Sequence, residues 1–518
     1  MVRYLEKSSG FNDWMAQKDS GDKKSKFSGI LWWVVIFGIA WWLFYIWMTP
    51  SKNTEQKVQS ADVAAVEDVS NIPSRTLTDI DIALQVQGLR ISNIELKNYK
   101  EAKNSDKNIS LLSATNEFTE VGFLANGTTA PNAGTVWNDG KWRNADGVEF
   151  IRAIAIENYV ITIKDTVKNN SKHDVSFVPY ARIVRHAGSD ATGVATGGVA
   201  FENGGIERES WKALGKKSFA WTTPGGFAGF EEQYWQTIIS LDSNDQTVKM
   251  KSLADGRVSA EANAAPVMVP AGKSILVTTH LFAGPKTPDV LNTANETITG
   301  INQTIDYGWF WFLSRPFLWA INALHGFVGN YGVAIILFTI LLRILMWPLT
   351  RKSFVGMAAM QKLQPEMQRI QKLYGDDKVR MQQEMMKLYR ESKTSPMSGC
   401  LPMLLQIPIF FALYKALLIS TPMRHSGFLW ISDLAVMDPY FILPILMGAS
   451  MWWQQHLQMK SSQQMDSDNP MAQTQKFMKW MPLLFTALFA WMPAGLVLYW
   501  TVSNLFGIGQ MWWIKKKS

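Results

Sequence analysis

Arg343 stands in the run LFTILLRILMWPLT, residues 337 to 350, whose other side chains suit a lipid surrounding. A guanidinium left unpaired near the middle of a bilayer costs at least about 2.5 to 3.5 kcal/mol, so such a side chain faces a wet cavity, finds a partner or snorkels to the surface. Pro348 follows five residues on, roughly 8 Å at 1.5 Å per residue. By spacing alone, snorkelling and a wet cavity stand even. Other polar residues favour the cavity. Thr339 lies one turn before Arg343 on the same helical face. Gln406 sits in a later apolar run, and Tyr499, Ser503, Asn504 and Gln510 sit in the last one. No acid occurs inside these uncharged runs, so the arginine is expected to carry an unspent charge. Its chemistry is attraction: a polar pocket open to the cytoplasm would draw in an acidic or polar segment of another chain. Lys415 is the competing cation, expected near the outer end of its span and snorkelling outward.

Catalytic alternatives find no support. The AGKS at 271 to 274 ends like a phosphate loop, but the glycine required five positions before Gly272 is Val267. The polar region holds His173, His186 and His280 without metal-ligand spacing, and there is no GxSxG elbow. No catalytic residue, cofactor or metal is expected, and the chain is not read as an enzyme. The single Cys400 cannot form an intrachain disulfide. Sequons at Asn108, Asn126, Asn295 and Asn302 are taken as chance.

The elements that hold these residues follow from clustering. Mean hydropathy is near zero over 518 residues, yet uncharged stretches occupy 27 to 51, 316 to 342, 394 to 414, 439 to 459 and 480 to 514. Each of the first four reaches the roughly 20 residues that cross a bilayer. The fifth carries a turn signal at Pro493 to Gly495 and reads as two spans joined by a tight hairpin, the first extended back toward Met471 past Lys476 and Lys479. That gives six crossings. The first, longer than a cleaved signal core and followed by Thr49 and Pro50, reads as a retained anchor. Only five of 23 Trp lie in the polar region, and many others sit near expected helix ends, as interfacial rings do.

Between the first and second spans the period changes to two. In TDIDIALQV, Ile80, Ile82, Leu84 and Val86 alternate with polar or small residues, and NYVITIKDTV and KSILVTTHLF behave alike. The expected fold is therefore a polytopic α-helical membrane protein with a large all-β sandwich outside it. Its parts are a cytoplasmic tail at 1–26, a first span at 27–50, a linker at 51–70, and a periplasmic sandwich at 71–300. An interfacial amphipathic helix at 301–322 and a core at 323–518 complete it. IDYGWFWFLSRPFLWAINAL reads either as that interfacial helix or as the start of span two. Within the core, 351–396 reads as a helical hairpin: Met357, Met360, Leu363, Met367, Ile370 and Leu373, a stop at Gly375, an N-cap at Asp376 or Asp377, then Val379, Met381, Met385 and Leu388. Its methionine face suits either a partner or the seam between two helices.

Net charge is +8, and its placement sets the expected orientation. Six basic residues precede span one, the 351 to 393 segment holds ten Lys or Arg against five acids, and Lys515 to Lys517 close the chain. Positive-inside counting puts both termini in the cytoplasm and residues 51–300 outside. Acids interleave through the basic segment and no stacking aromatics accompany it, so no nucleic acid is expected to bind directly.

Several stretches carry a family resemblance. LLRILMWPLT, LYGDDKVRMQQEMMKLYRESK, SGCLPMLLQIPIFFALYKAL, DLAVMDPYFILPILMGASM and PAGLVLYWTVSNL resemble, in unbroken order over roughly 304 to 515, the five-span core of the YidC family of bacterial membrane protein insertases, within the Oxa superfamily. GLRISNIELKNY, EEQYWQTIISL and LFAGPK are similar, more loosely, to the periplasmic domain of its Gram-negative members. The resemblance implies a bacterial inner-membrane insertase and chaperone. The arginine matched by Arg343 lies in a hydrophilic groove open to cytoplasm and lipid but closed to the periplasm, and Thr339 matches a further groove position. A nascent chain's polar tail enters that groove while its apolar segment slides into lipid against spans three and five, and Phe410 matches a substrate contact. Trp500 stands where better-known members have Tyr, which keeps the aromatic contact and removes the hydroxyl. Ser398 replaces a common Gly. With Gln406, Tyr499, Ser503 and Asn504, these residues form the expected substrate groove. The resemblance also implies work alone or with the Sec translocon, and a cytoplasmic hairpin that helps receive substrate, with ribosome and targeting receptor as other candidate contacts. The sandwich would resemble a sugar mutarotase without its chemistry.

Two other classes stay open on the sequence: a secondary transporter, which would show inverted repeats, and a periplasmic scaffold whose spans only anchor it.

Overall fold

The computed structural model describes residues 74–114, 116–125, 128–131, 141–144, 147–190, 194–223, 225–243, 245–375, 377–392, 401–459 and 470–517. The N-terminal tail, the first span, the linker, Ser398 and Cys400 lie outside them.

Residues 75 to 285 form two antiparallel sheets. The larger runs through Phe118–Ala125, Val175–His186 and Arg257–Ala264, and the smaller through Trp235–Leu241, Ser274–Pro285, Val160–Asn169 and Val148–Glu157. Alternation of apolar and polar residues gives strands such as Ile82–Gln87 and Val148–Glu157 one buried face, while Phe118–Ala125, Trp235–Leu241 and Arg257–Ala264 are buried along almost their whole length; apposing the two sheets makes a sandwich. Strand Ile82–Gln87 follows the expected pattern, with Ile82, Leu84 and Val86 buried. Ile80 does not: it lies before the strand begins and is 79% exposed. The AGKS segment is a turn, in which Gly272 adopts φ +73° and donates its N–H to the Asn169 carbonyl at 2.8 Å.

A helix Pro288–Ala294 and a 3-10 turn Ile301–Thr304 lead out of the sandwich. The remaining helices are α1 (Trp311–Val328), α2 (Tyr331–Leu345), α3 (Trp347–Lys362), α4 (Gln364–Tyr374), α5 (Lys378–Glu391), α6 (Leu401–Leu418), α7 (Ile442–Met459), α8 (Pro470–Phe489) and α9 (Ala494–Lys517). In the segment 301–322, expected as an interfacial amphipathic helix, the chain forms the 3-10 turn Ile301–Thr304 and the first part of α1. In α1, Trp311, Phe312 and Trp319 are exposed while Phe317, Leu318 and Ile321 are buried. The uncharged run 316 to 342 is broken after α1, where Gly329 takes φ +68° and the Asn330 side chain caps α2 by accepting from Val333 N at 3.1 Å.

Among the described residues no single helix is long and apolar enough to cross a membrane; α2 with the start of α3, Tyr331–Leu345 plus Trp347–Gly356, is so as a pair bent by 60°. Pro348 explains the bend, because its missing N–H removes a helical hydrogen bond. The apolar part of α6, Leu405–Leu418, is too short on its own. The outer surface of the helices is nonetheless apolar: Leu345, Ile445, Trp452, Trp480, Leu483 and Trp512 are all more than half exposed. A face of that kind calls for lipid or a partner.

One hydrophobic cluster runs from the sandwich through Ile298, Ile301 and Ile305 into α1, α2, α6, α7 and α9. The 363–392 segment is a helical pair: Asp377 caps α5 by accepting from Arg380 N at 3.0 Å, and Tyr389 of α5 meets Met367 of α4, Oη to Sδ, at 3.9 Å. Met367 is buried, whereas Leu373 and Val379 are 64% and 68% exposed. The methionine stripe is therefore partly the seam between the two helices.

Candidate functional site

Helix α9 packs against α2, α6 and α7 and gathers the polar residues of four helices. Its position is fixed at its first turn: Ala494 N and Gly495 N, which have no intrahelical acceptors, donate to the carbonyls of Val436 and Leu434 at 2.7 and 2.9 Å. Gly495 sits where a Cβ would lie 3.2 Å from Ile335 Cδ1, so the absence of a side chain lets α9 approach α2.

One turn and a half from that end, the Tyr499 hydroxyl accepts from Gln406 Nε2 at 2.9 Å, joining α9 to α6. One further turn along α9, Ser503 Oγ accepts from Arg343 Nε at 2.7 Å and also from an Nη of the same guanidinium. Asn504 turns the other way, its Nδ2 donating to Ser450 Oγ of α7 at 3.1 Å, while Ser450 Oγ donates to Met447 O at 2.7 Å. Thr339 is completely buried and donates to Ile335 O within its own helix at 2.6 Å. It stands beside Arg343 without bonding it.

The expected cluster is thus brought together, though not as a uniformly open surface. Arg343, Gln406, Phe410 and Trp500 keep part of their surface exposed; Thr339, Tyr499, Ser503 and Asn504 are buried. Arg343 is hydrogen-bonded rather than free, yet a serine hydroxyl is neutral. Among the described residues no carboxylate lies within 4 Å of the guanidinium. Among those residues its positive charge has no acidic partner. Gln510 is buried with neither amide atom hydrogen-bonded among the described residues.

Aromatic rings flank this cluster. Phe410 of α6 meets Trp500 of α9 edge-on at 5.5 Å, and both meet Phe489 of α8, at 5.7 and 5.1 Å. Such edge and tilted arrangements are favoured by ring quadrupoles.

Lys415 departs from expectation. It is 4% exposed, and its Nζ meets Asp306 Oδ2 at 2.5 Å. Buried in apolar surroundings, an ammonium needs a carboxylate more than a route to water. Asp306 precedes α1, so this ion pair joins α6 to the segment that carries the sandwich. Nearby, Glu231 of the sandwich accepts from Arg208 Nε and Lys286 Nζ, both at 2.6 Å, and Arg208 also donates to Thr304 O at 2.7 Å. Burial pulls the Lys286 ammonium below the usual lysine range, against the pull of Glu231. Sequence spacing did not reveal Asp306, Ser450 and Phe489 as partners. Asp306 had a signal, since an acid beside an apolar helix requires a cation.

Comparison with known proteins decides the family. The model of the 60Kd inner membrane protein family matches residues 323–518, and that of the YidC periplasmic domain matches residues 76–320. The chain belongs to the YidC family. It is similar to the membrane protein insertase YidC of Magnetococcus marinus, 36% identical over 430 residues, covering 77% of this chain and 75% of that one. The corresponding protein of Aeromonas hydrophila is 38% identical over 384 residues (71% and 68%), and that of Rickettsia canadensis 33% over 497 residues (86% and 87%). Among solved structures it is similar to an active YidC insertase with the first transmembrane domain resolved, at 18% identity and TM-score 0.38, covering 85% of this chain and 94% of that one. A galactose mutarotase related enzyme from Lactobacillus acidophilus gives 10% identity and TM-score 0.26, covering 41% and 97%.

Proposed function

We propose that this YidC-family chain inserts nascent inner-membrane proteins through a groove in which Arg343 attracts the polar tail of the substrate. Its relatives are named membrane protein insertases, and insertion is the activity of the family to which it belongs. Insertases are not enzymes, and this reading assigns no bond chemistry to any residue. The orientation it requires has both termini in the cytoplasm, residues 51–300 in the periplasm, six spans, and the α4–α5 hairpin in the cytoplasm.

The single observation that carries the groove is the guanidinium of Arg343, held by Ser503 with no acid beside it among the described residues. An insertase of this design needs no nucleotide, because burying an apolar segment of about 20 residues in lipid is strongly downhill. The obstacle is the polar tail, whose charges resist a dry path. A cation reachable from water lowers that barrier for acidic tails without holding them permanently. Gln406 and the ring edge of Trp500 supply weaker polar and aromatic contacts, and Phe410 with Phe489 offers an apolar wall beside which the hydrophobic segment leaves for lipid. The outer end is closed by the loop after α6: Asn330 Nδ2 donates to Gly427 O at 3.1 Å, and Phe428 packs on Gly332. Cooperation with the Sec translocon, and contact of the hairpin with ribosome, targeting receptor or substrate, belong to the same reading.

Insertion into proteoliposomes of short single-span substrates with acidic or neutral translocated tails tests it. Arg343→Ala is expected to impair acidic tails most, with Arg343→Lys affected less. Equal insertion of both tails by Arg343→Ala would remove the electrostatic role. Uptake of small solutes without insertion would favour a transporter, and full insertion loss only on removing residues 71–300 would favour a scaffold.

A further inference from the structure

Where the sandwich meets the loop after α6, a cavity of ≈ 300 Å³ is lined by Asn98, Tyr99, Lys100, Lys103, Thr421, Pro422, Arg424 and His425. Three of these carry fixed positive charge and none is acidic. The arginine is structural: its two terminal nitrogens donate to the carbonyls of Lys100 and Glu101, both at 2.7 Å, which pins the sandwich to the loop. The lysines are differently placed. Lys100 Nζ donates to Asp106 O at 3.0 Å and Lys103 Nζ only grazes Ser432 O at 3.5 Å; both side chains are exposed and retain donors. The nearest acid of the loop, Asp433, is engaged by His425 Nδ1 at 3.4 Å.

A second observation points to a ligand. Thr421 is 3% exposed, and its Oγ1 has no hydrogen-bond partner among the described residues. The same is true of His425 Nε2 on the other side. Buried polar atoms are nearly always satisfied, so atoms left without partners at a cationic cavity mark the place of an absent group. A threonine hydroxyl offers a donor, two ammonium groups offer charge-assisted donors, and together they suit the tetrahedral oxygens of a phosphate. The volume exceeds what one water requires. The same loop also carries Leu429, Tyr440 and Phe441, exposed by 74%, 65% and 40%. A loop that carries both a basic pocket and exposed apolar side chains suits a headgroup with attached acyl chains.

We propose that this pocket is a phosphate-binding site formed jointly by the sandwich and the loop after α6, filled by the phosphate of an anionic phospholipid headgroup or of a free phosphate monoester. Occupancy ties Lys100 and Lys103 of the sandwich to Thr421 of the core, so the bound phosphate acts as a clasp between the two parts. Its chemistry is independent of Arg343 and of the groove.

The test is calorimetric binding to the full chain in phosphatidylcholine nanodiscs, with short-chain phosphatidylglycerol and glycerol 1-phosphate as separate probes. Wild type is expected to bind at least one probe saturably. Lys100→Gln/Lys103→Gln, at two exposed positions that leave the fold intact, should weaken that binding about tenfold or more. Thr421→Val, which keeps the side-chain shape, should weaken it about threefold. Binding of both probes in competition identifies the phosphate itself as the ligand, and binding of the lipid alone identifies the headgroup with its chains. Absence of saturable binding to wild type, or the same affinity in wild type and the double-lysine variant, overturns the site. An unchanged affinity in Thr421→Val overturns the part given to the hydroxyl.

Discussion

Arg343 Nε lies 2.7 Å from Ser503 Oγ across 160 residues of chain, which makes one neutral hydroxyl the holder of a cation set in an apolar run. The bond orients the guanidinium without cancelling its charge. A double-mutant cycle on Arg343→Met and Ser503→Ala, read by thermal unfolding of the full chain, should give a coupling of about 1.5 to 3 kcal/mol, the range of hydrogen bonds to charged groups. Additive effects would mean that the contact contributes nothing.

Asp306 and Lys415 form a second long-range pair, with the lysine buried and the carboxylate about one-third exposed (side-chain exposures 5% and 35%). Asp306→Asn removes the carboxylate from beside a buried ammonium. It should destabilise the protein by about 2 to 3 kcal/mol, below the 3 to 5 kcal/mol of fully buried pairs because of that exposure. Adding Lys415→Met should restore much of the loss, measured as the unfolding midpoint of single and double variants.

Glu209, on the strand Gly205–Glu209 of the sandwich, has its carboxyl pushed up to about 7, chiefly by burial and then by Glu207, with Lys217 opposing. A raised acid binds its proton more tightly folded than unfolded, so it favours the folded state below about 4.5 and loses that advantage as pH rises through about 7. Stability contributed here should therefore fall between those values. Glu209→Gln should flatten this part of the pH profile of the unfolding midpoint; an unaltered profile would assign the titration elsewhere.

Gly332 begins α2 beneath Phe428, whose Cγ would lie 2.2 Å from an added Cβ. Phe428 belongs to the loop after α6, which Asn330 Nδ2 holds through Gly427 O at 3.1 Å. Gly332→Ala should force this ring away and cost about 1 to 3 kcal/mol, as overpacking does. Faster hydrogen exchange in residues 426 to 434 than in wild type is the expected signature.

Much of this site was legible as residue types and little of it as pairings. A guanidinium in an apolar run, and Gln406, Tyr499, Ser503 and Asn504 in others, stand out because polar groups in such surroundings need a reason. Which hydroxyl meets which nitrogen depends on the rotation of α9 against α2 and α6, and sequence spacing does not carry that. Lys415 was misread for a related cause: distance to the helix end suggested water, whereas Asp306, 109 residues earlier, reaches back to it. In the sandwich, period-two alternation located Ile82, Leu84 and Val86, but Ile80 continued the pattern past the start of its strand. The break at Gly329–Asn330 was written as a glycine and a capping residue inside an uncharged run, and the run's length concealed it. The packing of the sandwich on the core, through Arg424 and the Lys100 and Glu101 carbonyls, uses backbone acceptors that no side-chain pattern announces.

The central claim is that water reaches Arg343. The chain has one cysteine, Cys400, so Arg343→Cys in a Cys400→Ser background gives a single thiol at that depth. The measurement is its reaction, in oriented membranes, with a membrane-impermeant maleimide added to the cytoplasmic side. Labelling from that side, and not from the other, is the predicted result. A thiol unreactive from the cytoplasmic side, while a control thiol in the α4–α5 hairpin reacts, would contradict it.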